Sequence, residues 1–389
     1  MSTTASYIRK GIAFAAILFA GAFVGSYLAS VVEGAAGQIE FAVPAWYVLF
    51  PSLVGLAFLA ILIHELGHVA GGRVARFRFV MLIAGPLKVA HEQGKLTFGL
   101  NRWVHLSGGM ALCIPEKKLE AGPGYFLYIA GGPIASLLAA LISALLAISL
   151  HSPTYADAWM GYAVFYFVCS ALFNGGIALV TLLPLPTEGY DNDGKQLLDL
   201  IRGGRRVKRK YLLQALTAES IRGLRPRDWS AGYVEDLLAL QAGAPDKIDI
   251  TCYLIAYLMH LDRGDIVQAG FFIDKLQVQV ADAAPVLQAS IWLEVVFFHL
   301  RYRRDVKLDP RQYTYEGPFI EKHAIARVDA SLLAVRGQFE EAVQRAKEGI
   351  ALSKGATLQA GVATAEAEWM QQIIEEIEGV STPDAAANQ

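Results

Sequence analysis

The sequence predicts a mainly α protein in two parts. A polytopic transmembrane helical core of about four spans, with a small membrane-associated β-hairpin or sheet, precedes a soluble all-α helical-repeat domain. Three observations carry this. Hydrophobic residues make up 54 % of the 389 positions, which is high for a soluble chain. Charge is divided unevenly: residues 1–190 hold 18 of the 70 Asp, Glu, Lys and Arg side chains, and residues 191–389 hold the other 52. Finally, four stretches, about 11–32, 44–64, 122–150 and 158–185, stay apolar over the roughly 20 residues a helix needs to cross the hydrocarbon core.

The first stretch carries no charge from 11 to 32. Arg9 and Lys10 ahead of it also fit a cleaved signal peptide, but its length favours a retained helix. Loop 73–121 holds Arg73, Arg76, Arg78, Lys88, Lys95, Arg102, Lys117 and Lys118, and "RGGRRVKRK" follows the last span at 202–210. Loops 33–43 and 151–157 hold no Lys or Arg. The positive-inside rule then puts both termini in the cytoplasm, with the 202–210 cluster as a topology anchor and solvated helix start. Spans two and four run in the same direction, so His68 and the chain beyond Pro184 emerge at one membrane face.

Between spans two and three, residues 79–112 are too broken by Gly, Pro and charge to span. Alternation around "HEQGK" predicts a hairpin with strands near 86–91 and 95–100, and further short strands on either side. His91 and His105 lack metal-like spacing and read as surface or turn residues. Beyond residue 200, "HLDRGDIVQAGFFIDKL" (260–276) and "AVRGQFEEAVQRAKEGI" (334–350) each place a Gly in a polar turn before an amphipathic helix, and "FHLRYRRDVKLDPRQY" (298–313) looks like a third copy without the Gly. Such spacing resembles tetratricopeptide-like helical hairpins, which commonly bind peptides or proteins. The domain limits expected are therefore 1–200 and 201–380, with "STPDAAANQ" (381–389) a disordered tail by composition. The near-neutral net charge of −2 gives no reason to expect nucleic acid. Isolated Cys113, Cys169 and Cys252, with no CxxC, indicate neither a disulfide framework nor a thiolate metal site.

Chemistry concentrates in "AILIHELGHVAGG" (60–72). His64 and His68 are four apart, so both lie on one side of a helix. HExxH is the spacing at which two imidazoles bind one Zn2+ while the Glu reaches its water. Glu65 is then the general base and acid. A catalytic zinc takes three protein ligands and keeps one open position. "TLLPLPTEGYDNDGKQLL" (181–198), at the same membrane face, offers Glu188, Asp191 and Asp193. All three remain candidates for the third ligand.

These residues resemble the site-2 protease class of intramembrane zinc metalloproteases over about residues 40–200. Members carry HExxH on one transmembrane helix, a Gly-Pro motif on a middle helix, here "GGPIASLL" (131–138), and Asp-Gly after an Asn-x-x-Pro pattern, here "TLLPLP…DG". Ser136 and Thr181 stand where the family usually has Asn, and the proline-to-DG spacing is four residues longer. Oxyanion or substrate contacts therefore fall to Ser136 and Asn174 as candidates. The family's Asp-Gly implies Asp193, which Gly194 follows, as the third ligand, with Asp191 in reserve. The resemblance implies a membrane-embedded metalloprotease domain at 1–200, with a membrane-associated sheet after the HExxH helix, and cleavage of membrane-anchored protein substrates near the cytoplasmic side. A strand edge would hold the unwound substrate. The helical repeats would bind a substrate or a protein regulator. The expected setting is the lipid bilayer of a bacterial inner (cytoplasmic) membrane. A catalytically inactive scaffold of the same fold is the alternative. Membrane zincins with a later Glu ligand fit less well, since spans three and four contain no Glu before Glu188.

Overall fold

The computed structural model describes residues 44–92, 95–101, 108–115, 123–151, 158–184, 191–240, 247–283, 285–305, 320–356 and 359–380. The expected span at 11–32, His105, Glu188 and the tail at 381–389 lie outside the described residues. Within them the chain is mainly helical, with one small antiparallel sheet.

Helix α1 (Trp46–Val74) comes first, followed by strands β1 (Phe77–Ala84), β2 (Leu87–Glu92), β3 (Lys95–Leu100) and β4 (Met110–Pro115). Helices α2 (Pro123–Leu150) and α3 (Ala158–Leu182) complete the apolar half. Among the described residues, these three helices are the ones long and apolar enough to cross a membrane. Their outer faces expose Phe50, Leu59, Leu137, Leu141, Leu145 and Leu179, side chains that belong against lipid rather than water. The expected apolar span ends at 64, and the helix that the HExxH spacing requires continues through His68 to Val74.

The two membrane helices α1 and α2 meet backbone to backbone. A Cβ on Gly67 would clash with the Gly131 carbonyl, and one on Gly71 with the Leu127 carbonyl. Small residues permit this close approach, which replaces the hydrophobic drive that lipid removes.

The sheet has the order β3-β2-β1-β4. The hairpin pairs Glu92 with Lys95 and Leu87 with Leu100, matching the expected strands within a residue. Asn101 closes its base, donating from Nδ2 to Gly85 O at 3.0 Å. Met81, Ile83, Ala90 and Ile114 bury one face against Ala218 of the next half, whereas β3 forms an exposed edge.

Beyond α3 come α4 (Asp193–Arg202), α5 (Arg205–Ile221), α6 (Ala231–Ala239), α7 (Lys247–Asp262) and α8 (Ile266–Gln279). Then follow α9 (Pro285–Phe298), a π-helical turn His299–Arg303, α10 (Lys322–Val335), α11 (Phe339–Ser353) and α12 (Ala360–Val380). The two expected glycine turns are present: Gly264 (φ 77°) joins α7 to α8, and Gly337 (φ 76°) joins α10 to α11. Both need the left-handed backbone that glycine adopts without steric cost. The third expected copy departs from this: α9 ends in the π-turn and left-handed Arg304, and 306–319 lie outside the described residues. Tyr257, Ile273, Phe297 and Leu332 anchor one core across these helices.

Candidate metal centre

His64, Glu65 and His68 sit in the C-terminal part of α1, with only 4, 5 and 8 % of their surface exposed. Asp193, the first residue of α4, meets them. Its Oδ2 lies 3.1 Å from His64 Nε2 and its Oδ1 3.5 Å from His68 Nε2. The two Nε2 atoms are 3.3 Å apart. A tetrahedral zinc with N and O ligands at about 2.0–2.2 Å has ligand–ligand edges of about 3.3–3.6 Å. The closest approaches of the three side chains are near these edges, and one ligand atom from each lies within 4.8 Å of the other two, so the group could hold a metal ion. Among the described residues, no other trio of His, Cys, Asp or Glu side chains converges in this way.

The groups behind these ligands fix which nitrogen is available. His68 Nδ1 donates to the Tyr128 carbonyl at 3.0 Å. A carbonyl only accepts, so Nδ1 carries a proton and Nε2 is the ring atom turned toward Asp193. His64 Nδ1 lies 3.0 Å from Ser136 Oγ, which is fully buried. Such outer partners orient ligating imidazoles and raise their basicity. Ser136, expected as an oxyanion or substrate contact, thus stands behind His64.

Glycine shapes the walls. A Cβ on Gly132 would run into the His68 imidazole, and one on Gly109 into the Glu65 carboxylate. Glu65 is thereby covered by the turn that leads into β4, one helical position from His64.

Asp193 is placed by its neighbours in sequence. Asn192 caps α4, its Oδ1 accepting from Lys195 N at 3.0 Å, while its Nδ2 donates to the carbonyls of Val180 and Leu183. One side chain thus ties the start of α4 to the end of α3. Burial pushes the Asp193 pKa up, but hydrogen bonds to His64 and His68 more than offset this and hold the carboxyl below its ordinary range. The helix N-terminus favours the same anionic form.

The reserve ligand, Asp191, turns elsewhere. Its carboxylate is bonded by Lys210 and lies 3.3 Å from Arg206 Nη2. Asn174 is buried but joins Ser170, donating to its carbonyl at 2.9 Å, rather than any residue of the cluster. The 202–210 cluster is solvated at its start as expected, with Arg202, Arg205, Arg206 and Lys208 exposed. Arg209 departs from this and is buried, while Arg206 and Lys210 are also engaged by carboxylates.

Sequence reading missed Tyr128, Asn192 and Lys210. Tyr128 acts through its backbone carbonyl, which no residue type advertises. Asn192 did carry a signal, since Asn directly before a helix is a strong cap. Comparison with protein-family models, curated proteins and solved structures finds no match.

Proposed function

We propose that this protein is an intramembrane zinc metalloendopeptidase of the site-2 protease type, cleaving membrane-anchored proteins near the cytoplasmic boundary. One observation carries the reading: two imidazoles and a carboxylate from helices 129 residues apart in sequence converge at 3.1–3.5 Å beside a buried HExxH glutamate.

A zinc ion held there would act as a Lewis acid and bring the pKa of a coordinated water toward about 7. His64 and His68 would hold it through Nε2, with Ser136 and the Tyr128 carbonyl fixing both rings. Asp193 would supply the third ligand and one negative charge. Glu65 would take the proton of the attacking water and return it to the leaving amide nitrogen. Ser170 leaves the Asn174 Nδ2 group occupied, so the oxyanion contact is not assigned to it.

Edge strand β3 supports a way to hold substrate. A membrane helix hides its scissile bonds until it is unwound. An extended segment can add to a free sheet edge. Leu96, Phe98 and Leu100 lie on one face of that edge, 57, 74 and 79 % exposed. The helical hairpins from α7 to α12 suit a soluble repeat domain that recruits a substrate or regulator. Basic loops support a topology with both termini in the cytoplasm.

Cleavage of single-span substrates by the reconstituted full-length protein tests this. Glu65→Gln should retain the metal and lose about 10²–10⁴ in rate. Unchanged cleavage by that variant would exclude the mechanism. Stoichiometric zinc with no cleavage of any membrane-anchored substrate would instead favour the scaffold alternative.

A further inference from the structure

We infer that helix α5, through Lys210 and Arg206, is the positioning element that selects Asp193 over its neighbours as the third metal ligand. This rests on the reading that His64, His68 and Asp193 hold a metal ion, and not on peptide cleavage.

Three carboxylates crowd this stretch of chain: Asp191 in the turn before α4, Asp193 at its start and Asp199 two turns along it. All three are largely buried, at 13, 13 and 11 % side-chain exposure. Carboxylates this close and this dry repel one another unless they are matched by cations. Lys210 Nζ bonds Asp191 Oδ2 and lies 3.4 Å from Asp199 Oδ2. Arg206 reaches the same pair, at 3.3 Å from Asp191 and 3.9 Å from Asp199. Lys195 adds a second bond to Asp199. Two of the three acids are thus neutralised from α5, and Asp193 is left facing the imidazoles. One ammonium also bridges the turn before α4 to that helix's second turn, so α4 cannot roll about its axis without breaking the bridge.

The next residue of α5 joins the other side of the site. The Tyr211 ring packs 4.4 Å from Tyr125 on α2, and Tyr125 packs 5.0 Å from Phe77 of β1. One turn beyond Tyr125, Tyr128 gives its carbonyl to His68. Adjacent residues of one helix therefore brace the supports of two ligands. At its far end α5 carries Arg222, which bonds the Pro115 carbonyl of β4, and Ala218, which packs with Met81 and Ile83. The helical half of the chain thereby holds the metal centre in register.

The test is metal affinity of the full-length protein in detergent, by chelator competition with Zn2+ and by the visible spectrum with Co2+. Lys210→Met should weaken Zn2+ binding by about tenfold or more, in the range seen when a ligand's support is removed, and should alter the Co2+ spectrum. Lys210→Arg, which can still bond both carboxylates, should restore most of the affinity and the spectrum. Adding Asp191→Asn to Lys210→Met should cost little more than either change alone, because both break one bridge. Wild-type affinity and spectrum in Lys210→Met would overturn the inference. So would equal losses in the Met and Arg variants, which would mean that a Lys is needed for the fold alone. Wild-type protein that binds neither ion would overturn the metal reading itself, an outcome distinct from both.

Discussion

Gly194→Ala separates local helix preference from the geometry of the site. Gly194 is the second residue of α4, and alanine in a helix is favoured over glycine by about 0.8–1.0 kcal/mol. A purely local view therefore expects a stabler protein. A Cβ at Gly194, however, would lie far inside contact of the Leu182 carbonyl and 2.9 Å from Leu182 Cα. Ordinary carbon contacts fall near 3.5–4.0 Å, so the start of α4 must retreat from the end of α3 by on the order of 1 Å. The obstacle is backbone and cannot rotate away. Asp193 is the adjacent residue, and Asn192 bonds across the same seam. Metal sites hold ligand distances within about ±0.2 Å, so a shift several times larger takes Asp193 out of the ligand set. Zinc affinity should fall by at least about 10–100-fold, the range for losing a mere supporting group. Chelator competition on the detergent-solubilised protein, with a melting curve of the metal-free form, measures both sides. Wild-type affinity together with an unchanged or raised melting temperature would refute the reasoning.

Ser136→Ala removes the buried partner of His64 Nδ1 and frees the ring; zinc affinity should drop about 10–100-fold, and Ser136→Thr, which keeps the hydroxyl, should recover most of it by the same competition assay. In the helical half, burial and the neighbouring Arg327 push the His323 pKa down to about 4, while Glu321 and Glu366 lie 3.4 and 3.2 Å from its ring. Its folded pKa is below the unfolded value of about 6.5, so the unfolded chain takes up the proton first, and this contribution is lost as pH falls from 6.5 toward 4, amounting to about 3 kcal/mol at the acid limit. Melts of wild type and His323→Gln between pH 7 and pH 4 should show the difference between them shrinking with acid; a constant difference counts against a neutral buried imidazole.

How much of this the sequence revealed depends on whether the responsible feature is local. His64, Glu65 and His68 were legible because a helix converts four-residue spacing into one face. The β2–β3 hairpin was legible because period-two alternation on both sides of "HEQGK" fixes its register. The apolar span marks only where hydrophobicity stops, near 64, whereas helical hydrogen bonding continues for another ten residues to Val74. The preference for Asp193 over Asp191 rested on the family's Asp-Gly pattern. In three dimensions Asp193 meets the two imidazoles, whereas Asp191 is engaged by Lys210 and Arg206, side chains 19 and 15 residues beyond it. The "RGGRRVKRK" run shows the limit of charge counting. Its composition favours an exposed patch, and Arg202, Arg205, Arg206 and Lys208 are exposed, but Arg209 is buried beside Cys252 and Lys210 bonds Asp191. Ser136 was noted as a departure from a family pattern, and its bond to His64 became visible only when α1 and α2 were brought together.

X-ray absorption at the zinc edge of the purified, zinc-loaded full-length protein examines the metal centre without relying on a substrate. Two imidazole nitrogens at about 2.0–2.1 Å and a carboxylate oxygen at about 2.0–2.2 Å are expected, with the imidazole signal lost when His64 and His68 are both replaced by Ala. A sulfur shell near 2.3 Å, or zinc ligation that survives the double replacement, would contradict the proposed ligand set.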